Sequence, residues 1–241
     1  FFTLPEDGRI YRDWKEGGHG DTNLFKAITQ SSNTYFFDLA YRSDINQLNK
    51  HLSSLGFGDK ACIDCFEEDQ VFVPEPSWKM NKHNFGWFKG DTVNMGVGQG
   101  YLVSTPIQLA KYAYIIANKG KFSDLSLKKD LVKSEKSIEF NKFSNDDWFK
   151  LHESMVNVIE GNTGTARRLR EKKNYIVAAK TGTAELVSGD NREQYSETRL
   201  DDSLRDHALI IAFGPMPNPR YAVSVVAVSY THLRAHETRT H

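Results

Sequence analysis

Apolar residues along this chain change their spacing once, near residue 175. Before that point they recur at helical intervals, and after it they come in short runs of strand length. Asp21-Thr22-Asn23 is a helix-start cluster, with Leu24, Ala27 and Ile28 following on one face. The polar run Gln30-Ser31-Ser32-Asn33 interrupts the pattern, which resumes from Tyr35 to Tyr41. Ile45, Leu48, Leu52 and Leu55 form the stripe of a further helix, ended by Gly56 and Gly58. Residues 59–104 read as loop-rich, with Pro74, Pro76 and a cluster of Gly96, Gly98 and Gly100. Thr105-Pro106 is a cap with proline at the first helical position, opening a helix through Leu109, Tyr112 and Ile116 to Gly120. Lys121–Ser144 is a polar excursion without a strong period, and Asp146–Ile159 is helical, with Trp148, Leu151, Met155, Val158 and Ile159 on one face. Strands are predicted at Tyr175–Ala179, Ala208–Phe213 and Tyr221–Val228, separated by the polar loop Leu186–Asp206 and the turn Gly214–Pro219. Helices first and a strand meander last predict an α+β fold, with helices packed on an antiparallel sheet, rather than repeated βαβ units.

The 241 residues are enough to bury a sizeable core. The 31 basic residues balance the 31 acidic ones, which argues against a nucleic-acid footprint. No apolar run approaches the ~18–20 residues that span a bilayer. Cys62 and Cys65 form one C-x-x-C, open to reading as a redox dithiol, half of a zinc site, a loop disulfide or two free thiols. A zinc site lacks its second pair and a redox motif its βαβ context, which favours the disulfide or the free thiols. Residues 1–229 are expected to form one domain. Residues 230–241, with His232, His236 and His241, differ in texture; a metal-binding tail is the alternative to a non-native one, which is favoured.

Two short motifs carry candidate chemistry. Lys180-Thr181-Gly182-Thr183 directly follows a predicted strand. There a lysine offers a fixed positive charge, threonine hydroxyls hydrogen-bond a carboxylate, and the glycine lets a substrate backbone lie alongside. The competing reading is an exposed strand end with a solvated lysine. Ser31 and Asn33, two apart in the polar break, are placed to face one cleft. A serine hydroxyl shuttles protons and an asparagine amide holds a peptide carbonyl or an ammonium group, although both residues also suit a plain helix cap.

S-x-N upstream and K-T-G downstream are two of the three motifs of penicillin-binding proteins and serine β-lactamases. Further segments extend the likeness: Tyr11-Arg12-Asp13-Trp14-Lys15, Gly18-His19-Gly20, Gly90-Asp91-Thr92, Gly96-Val97-Gly98-Gln99-Gly100-Tyr101, Thr105-Pro106-Ile107-Gln108 and Arg205-Asp206-His207. From Tyr11 to Val228 the chain resembles the penicillin-binding protein 2 group of class B transpeptidases, monofunctional enzymes of rod-shaped Gram-negative bacteria. The resemblance implies the penicillin-binding/β-lactamase-like transpeptidase fold and acyl transfer through a serine ester that cross-links peptidoglycan stem peptides during cell elongation. It assigns Ser31 to proton relay, Asn33 to orienting the substrate and the catalytic lysine, and Lys180 to the positive potential behind Ser31. Thr181 and Thr183 would bind the substrate carboxylate beside Gly182, with the Thr183 N–H as half of an oxyanion hole. Gly98, Gln99 and Gly100 fall in the family's G-x-G-Q-G segment beside the active site.

The third motif, S-x-x-K, occurs only as Ser126-Leu127-Lys128-Lys129, after S-x-N and outside any hydrophobic helix, and is read as chance. The expectation is therefore an N-terminally truncated, inactive piece of a protein held at the periplasmic face of the inner membrane by an anchor missing from this chain. Expected partners are stem peptides, β-lactam antibiotics, a membrane glycosyltransferase and other elongation-complex proteins. No cofactor is expected; some relatives carry zinc, but Asp13 and His19 match only two ligands, with Ser32 at the cysteine position. A β-lactam sensor or serine β-lactamase, or a non-catalytic partner module, are the alternatives.

Overall fold

The computed structural model describes residues 1–131, 136–138, 143–172, 174–185 and 206–228. Two short strands, β1 (Phe2–Thr3) and β2 (Ile10–Tyr11), pair antiparallel and precede helices α1 (Leu24–Gln30), α2 (Asn33–Arg42) and α3 (Ile45–Ser54). The polar break predicted between the first two helices is a joint only two residues long, Ser31-Ser32. The Asn23 and Asp44 side chains cap α1 and α3 by accepting from the Lys26 and Gln47 amides.

The stretch predicted as loops holds two helices, α4 (Pro76–His83) and α5 (Lys89–Met95). The buried residue of α4 is a charge rather than an apolar stripe, and the seven residues of α5 are too few to show a period, although Val93 and Met95 are buried. Lys79 is 2% exposed, its amine lies 2.5 Å from Asp91 Oδ2, and the Phe85 and Phe88 rings sit 4.8 Å from it on either count. Asp91 also accepts from the Phe88 amide, closing the entry to α5. A periodicity search cannot see a helix pair organised by a salt bridge under aromatic rings.

Cys62 and Cys65 form a disulfide. Between them Asp64 accepts from the Ser126 hydroxyl and the Leu127 and Lys128 amides, and Cys62 bridges to Leu125. The start of the polar excursion is thus fixed to the disulfide loop. It follows α6 (Pro106–Ala117), which Thr105 caps as the sequence predicts, with Gln108 completing a capping box, and carries strands β3 (Lys121–Phe122) and β4 (Lys136–Ser137).

Helix α7 (Asn145–Glu160) and α6 lie on a three-stranded antiparallel sheet, β5 (Ala178–Ala184), β6 (His207–Gly214) and β7 (Tyr221–Ala227), in that spatial order. Ile116, Ala117, Met155, Ala178 and Phe213 form the core between them, continued by Val158, Ile159, Ala166 and Ala179. The α+β expectation holds, but the first strand is displaced. Tyr175 and Ile176 are exposed, and the Ile176 carbonyl accepts from Met216 in the β6–β7 turn. The ladder instead runs from Ala178↔Phe213 to Ala184↔His207, so K-T-G lies within the strand rather than after it. Residues 186–205, including Arg205 of the Arg-Asp-His segment, part of the excursion and the expected tail at 230–241 lie outside the described residues.

Candidate active site

Ser31 ends α1 in the left-handed region, with φ 55°. A non-glycine residue held there costs about 1–2 kcal/mol, so the surroundings must impose it. Trp14 supplies part of that constraint: its indole N–H is shared between the carbonyls of Ser31 (2.9 Å) and Gln30 (3.1 Å). Left-handed backbone at the joint turns the Ser31 hydroxyl toward the sheet, where it accepts from Lys180 Nζ at 2.7 Å. The same amine donates to the Thr181 carbonyl at 2.7 Å.

The following residue faces the other way. Ser32, 2% exposed, donates to Asp13 Oδ2 at 3.2 Å instead of capping α2 with its own side chain. Asp13 takes over as the cap, accepting from the Thr34 amide at 2.9 Å, and its second oxygen lies 3.0 Å from His19 Nε2. Burial raises the Asp13 pKa, but the Thr34 amide and the His19 ring outweigh it and hold the carboxyl below its ordinary value. This network fixes the start of α2 and therefore the spacing of Ser31 and Asn33. Asn33 is the first residue of α2, half-buried, and its side-chain amide has no hydrogen-bond partner among the described residues. It is available to a ligand, but nothing bonds it to Lys180.

Among the described residues, strand β5 has a ladder partner on one side only. The Thr181 and Thr183 carbonyls accept side-chain donors, Lys180 Nζ and Gln99 Nε2, so both point to the free edge; the Thr183 N–H shares that direction. Gly182 keeps that stretch of strand low, with only Leu209 near the place a Cβ would take. Gln99 stands between Gly98 (φ 77°) and Gly100 (φ 78°) in a tight turn, and reaches Thr183 at 2.8 Å. Of the three predicted residues of this turn, only Gln99 meets β5 through a side chain.

The loop after α7 adds residues that the sequence motifs missed. Gly164 sits so close to α7 that a Cβ would lie 2.3 Å from the Asn157 and Val158 carbonyls. Pressed there, the loop extends Thr163 to the Gln30 amide (3.0 Å) and Thr165 to the Thr181 hydroxyl (2.6 Å). One loop therefore touches both halves of the site. Its signal in the sequence was Gly161-Asn162-Thr163-Gly164-Thr165, two glycines interleaved with two threonines next to a helix end. An open cavity of about 590 Å³ lies on the far side of Gln30, between α1 and Thr163.

Asp13 and His19, the two residues expected to match metal ligands, lie side by side. They share their own hydrogen bond, Ser32 is bonded to Asp13, and among the described residues no third His, Cys, Asp or Glu ligand atom joins them. Ser126 is bonded to Asp64 and to the Lys128 backbone, and no lysine amine bonds to it among the described residues.

Comparison with known proteins agrees with this geometry. Residues 2–238 match the family model described as penicillin binding protein transpeptidase domain. The peptidoglycan D,D-transpeptidase MrdA of Haemophilus influenzae is 36% identical over 94% of the chain, and that of Acinetobacter baumannii 37% over 94%. The chain spans 36% and 34% of the lengths of those two relatives. Pseudomonas aeruginosa PBP2, solved in complex with WCK 5153, superposes with a TM-score of 0.80 at 32% identity, over 97% of this chain and 49% of that one. Helicobacter pylori PBP2, solved in complex with MreC, gives 0.80 at 32% identity, over 91% of this chain and 38% of that one. A hydroxyl–lysine pair across two distant motifs, a free K-T-G strand edge and the family match over nearly the whole chain agree: the chain belongs to the penicillin-binding protein transpeptidase domain family.

Proposed function

We propose that this chain carries the proton-relay and substrate-edge part of a peptidoglycan D,D-transpeptidase of the cell-elongation machinery. The observation that carries the reading is the 2.7 Å approach of Lys180 Nζ to Ser31 Oγ across 149 residues of sequence. An ammonium beside a hydroxyl supports proton transfer to a departing nitrogen. In the reaction a serine hydroxyl attacks the penultimate D-Ala carbonyl of a stem peptide, and the carbonyl–nitrogen bond breaks. Ser31 hands its proton to the leaving D-Ala nitrogen and regains the proton that the attacking serine gave up to the lysine of its own S-x-x-K motif, with Lys180 supplying positive potential beside it. An amine of a neighbouring strand then displaces the serine and forms the cross-link.

Thr181 and Thr183 hydroxyls take the substrate carboxylate, and Asn33 holds a substrate amide. The Thr183 N–H, on the free edge, supplies half of an oxyanion hole, a donor typically worth ~3–4 kcal/mol. The attacking serine of this reading belongs to an S-x-x-K motif other than Ser126–Lys129, whose serine is bonded to Asp64. No metal or organic cofactor is needed. β-Lactams act as mimics that stop at the ester. The whole protein works at the periplasmic face of the inner membrane beside a membrane glycosyltransferase and other elongation proteins; the MreC complex of the Helicobacter pylori relative supports partners of this kind.

The test is labelling of the full-length protein with a fluorescent penicillin, followed by peptide mapping. A label on an S-x-x-K serine outside this chain, lost with a Ser31→Ala or Lys180→Gln change, is expected. A label on Ser126, or no label, refutes the reading.

A further inference from the structure

The free edge of β5 is already occupied, and by a side chain that imitates a peptide. Gln99 Nε2 donates to the Thr183 carbonyl at 2.8 Å, and the Glu185 amide points to Gln99 Oε1 at 3.4 Å. One carboxamide thus makes the donor and acceptor contacts that a residue of an added strand would make. The turn holding it is open to solvent: Gly98 and Gly100 on either side are exposed and have positive φ, and a Cβ at Gly98 would meet nothing within 4 Å.

We propose that Gln99 is a resident stand-in for substrate, a specificity-determining gate that an incoming amide N–H must displace from the Thr183 carbonyl. The inference rests on the transpeptidase reading and adds to it a mode of selection. A ligand that brings an amide N–H to this edge competes with Gln99 and regains the bond it breaks. A ligand without such an amide leaves Gln99 in place and gains nothing from its removal.

The experiment compares acylation of the full-length protein by two β-lactams, a penicillin with an acylamino side chain and a carbapenem without one, in wild type, Gln99→Leu and Gln99→Glu. Leucine keeps the bulk and loses both hydrogen bonds; glutamate keeps an acceptor but cannot donate to Thr183. Both changes are expected to raise the penicillin-to-carbapenem ratio of acylation efficiencies by about fivefold, the value of one net hydrogen bond. A ratio that is unchanged or falls overturns the gate and makes Gln99 a brace for β5. Should one variant fail to melt cooperatively, the other decides. A wild type that neither β-lactam acylates overturns the transpeptidase reading and the gate together, a pattern distinct from failure of the gate alone.

Discussion

Replacing Asp13 by alanine removes the acceptor on which three donors converge. His19 Nε2 at 3.0 Å, the Ser32 hydroxyl at 3.2 Å and the Thr34 amide at 2.9 Å all lose their partner. The His19 and Asp13 side chains are each 2% exposed, so water does not readily replace the carboxylate. A buried donor left unsatisfied costs about 1–3 kcal/mol, and breaking a buried pair from one side about 3–5 kcal/mol. Some of the three donors will find each other, so we expect a loss of about 3–5 kcal/mol rather than the full sum. At about 2–4 °C per kcal/mol for a chain of this size, the melting temperature should fall by roughly 6–20 °C. Asp13→Asn, which keeps one acceptor oxygen, should lose about half as much.

The assay is urea unfolding of wild type and variants with the m-value checked for constancy, repeated between pH 7 and pH 3. The Asp13 pKa is lowered on folding, so its contribution is complete above the unfolded value near 3.8 and fades as pH falls through the folded one. The gap between wild type and Asp13→Ala should therefore narrow only at the acid end. A loss under about 1 kcal/mol at pH 7, or a gap constant down to pH 3, would refute the idea that this carboxylate organises the start of α2.

Other expectations concern the relay, the core and the loop. In the full-length protein, Ser31→Ala and Lys180→Gln should each slow penicillin acylation by about 10²–10⁴-fold, and the double change should cost little more than either alone, because the two act as one unit; stopped-flow labelling reads this directly. His152, buried against the Ile116 carbonyl at 2.8 Å, has its pKa lowered mainly by burial. Its contribution to stability is complete above the unfolded value near 6.5 and is lost as pH falls through the folded one. The gap in urea midpoints between wild type and His152→Gln should narrow as pH falls below the unfolded value near 6.5. Gly164→Ala forces the loop off α7, with contacts of 2.3 Å to relieve, and should cost about 1–3 kcal/mol while moving Thr165 from Thr181; equal melting temperatures for this variant and wild type would contradict the packing described.

The sequence exposed those elements whose stability comes from local chemistry. Thr105-Pro106 marks its own helix start, and the stripe of α7 from Trp148 to Ile159 is the face that meets the sheet. It hid α4 and α5, because Lys79 occupies the position where a periodic pattern would place an apolar residue. It misplaced β5 for a related reason: the most apolar part of that segment, Tyr175 and Ile176, serves a turn, while the paired part is polar because its free edge serves the site. Ser31, Lys180 and Gln99 were legible as motif members. Their meeting came only through the family resemblance, since nothing local ties residue 31 to residue 180; Thr165, Gln30 and Thr163 enter through packing of the α7 loop, whose glycines and threonines give only a faint local signal.

The left-handed backbone at Ser31 has an evolutionary corollary. Position 31 needs a residue that tolerates φ 55° and carries a hydroxyl. Glycine meets the first requirement and threonine the second, but β-branching makes threonine among the worst tenants of that region. Drift at this site is therefore narrowed twice, by geometry and by chemistry, and constancy of serine among relatives would not by itself distinguish a proton relay from a hinge that few side chains can occupy. Ser31→Gly and Ser31→Ala separate the two pressures: the first keeps the turn and loses the hydroxyl, whereas the second loses both.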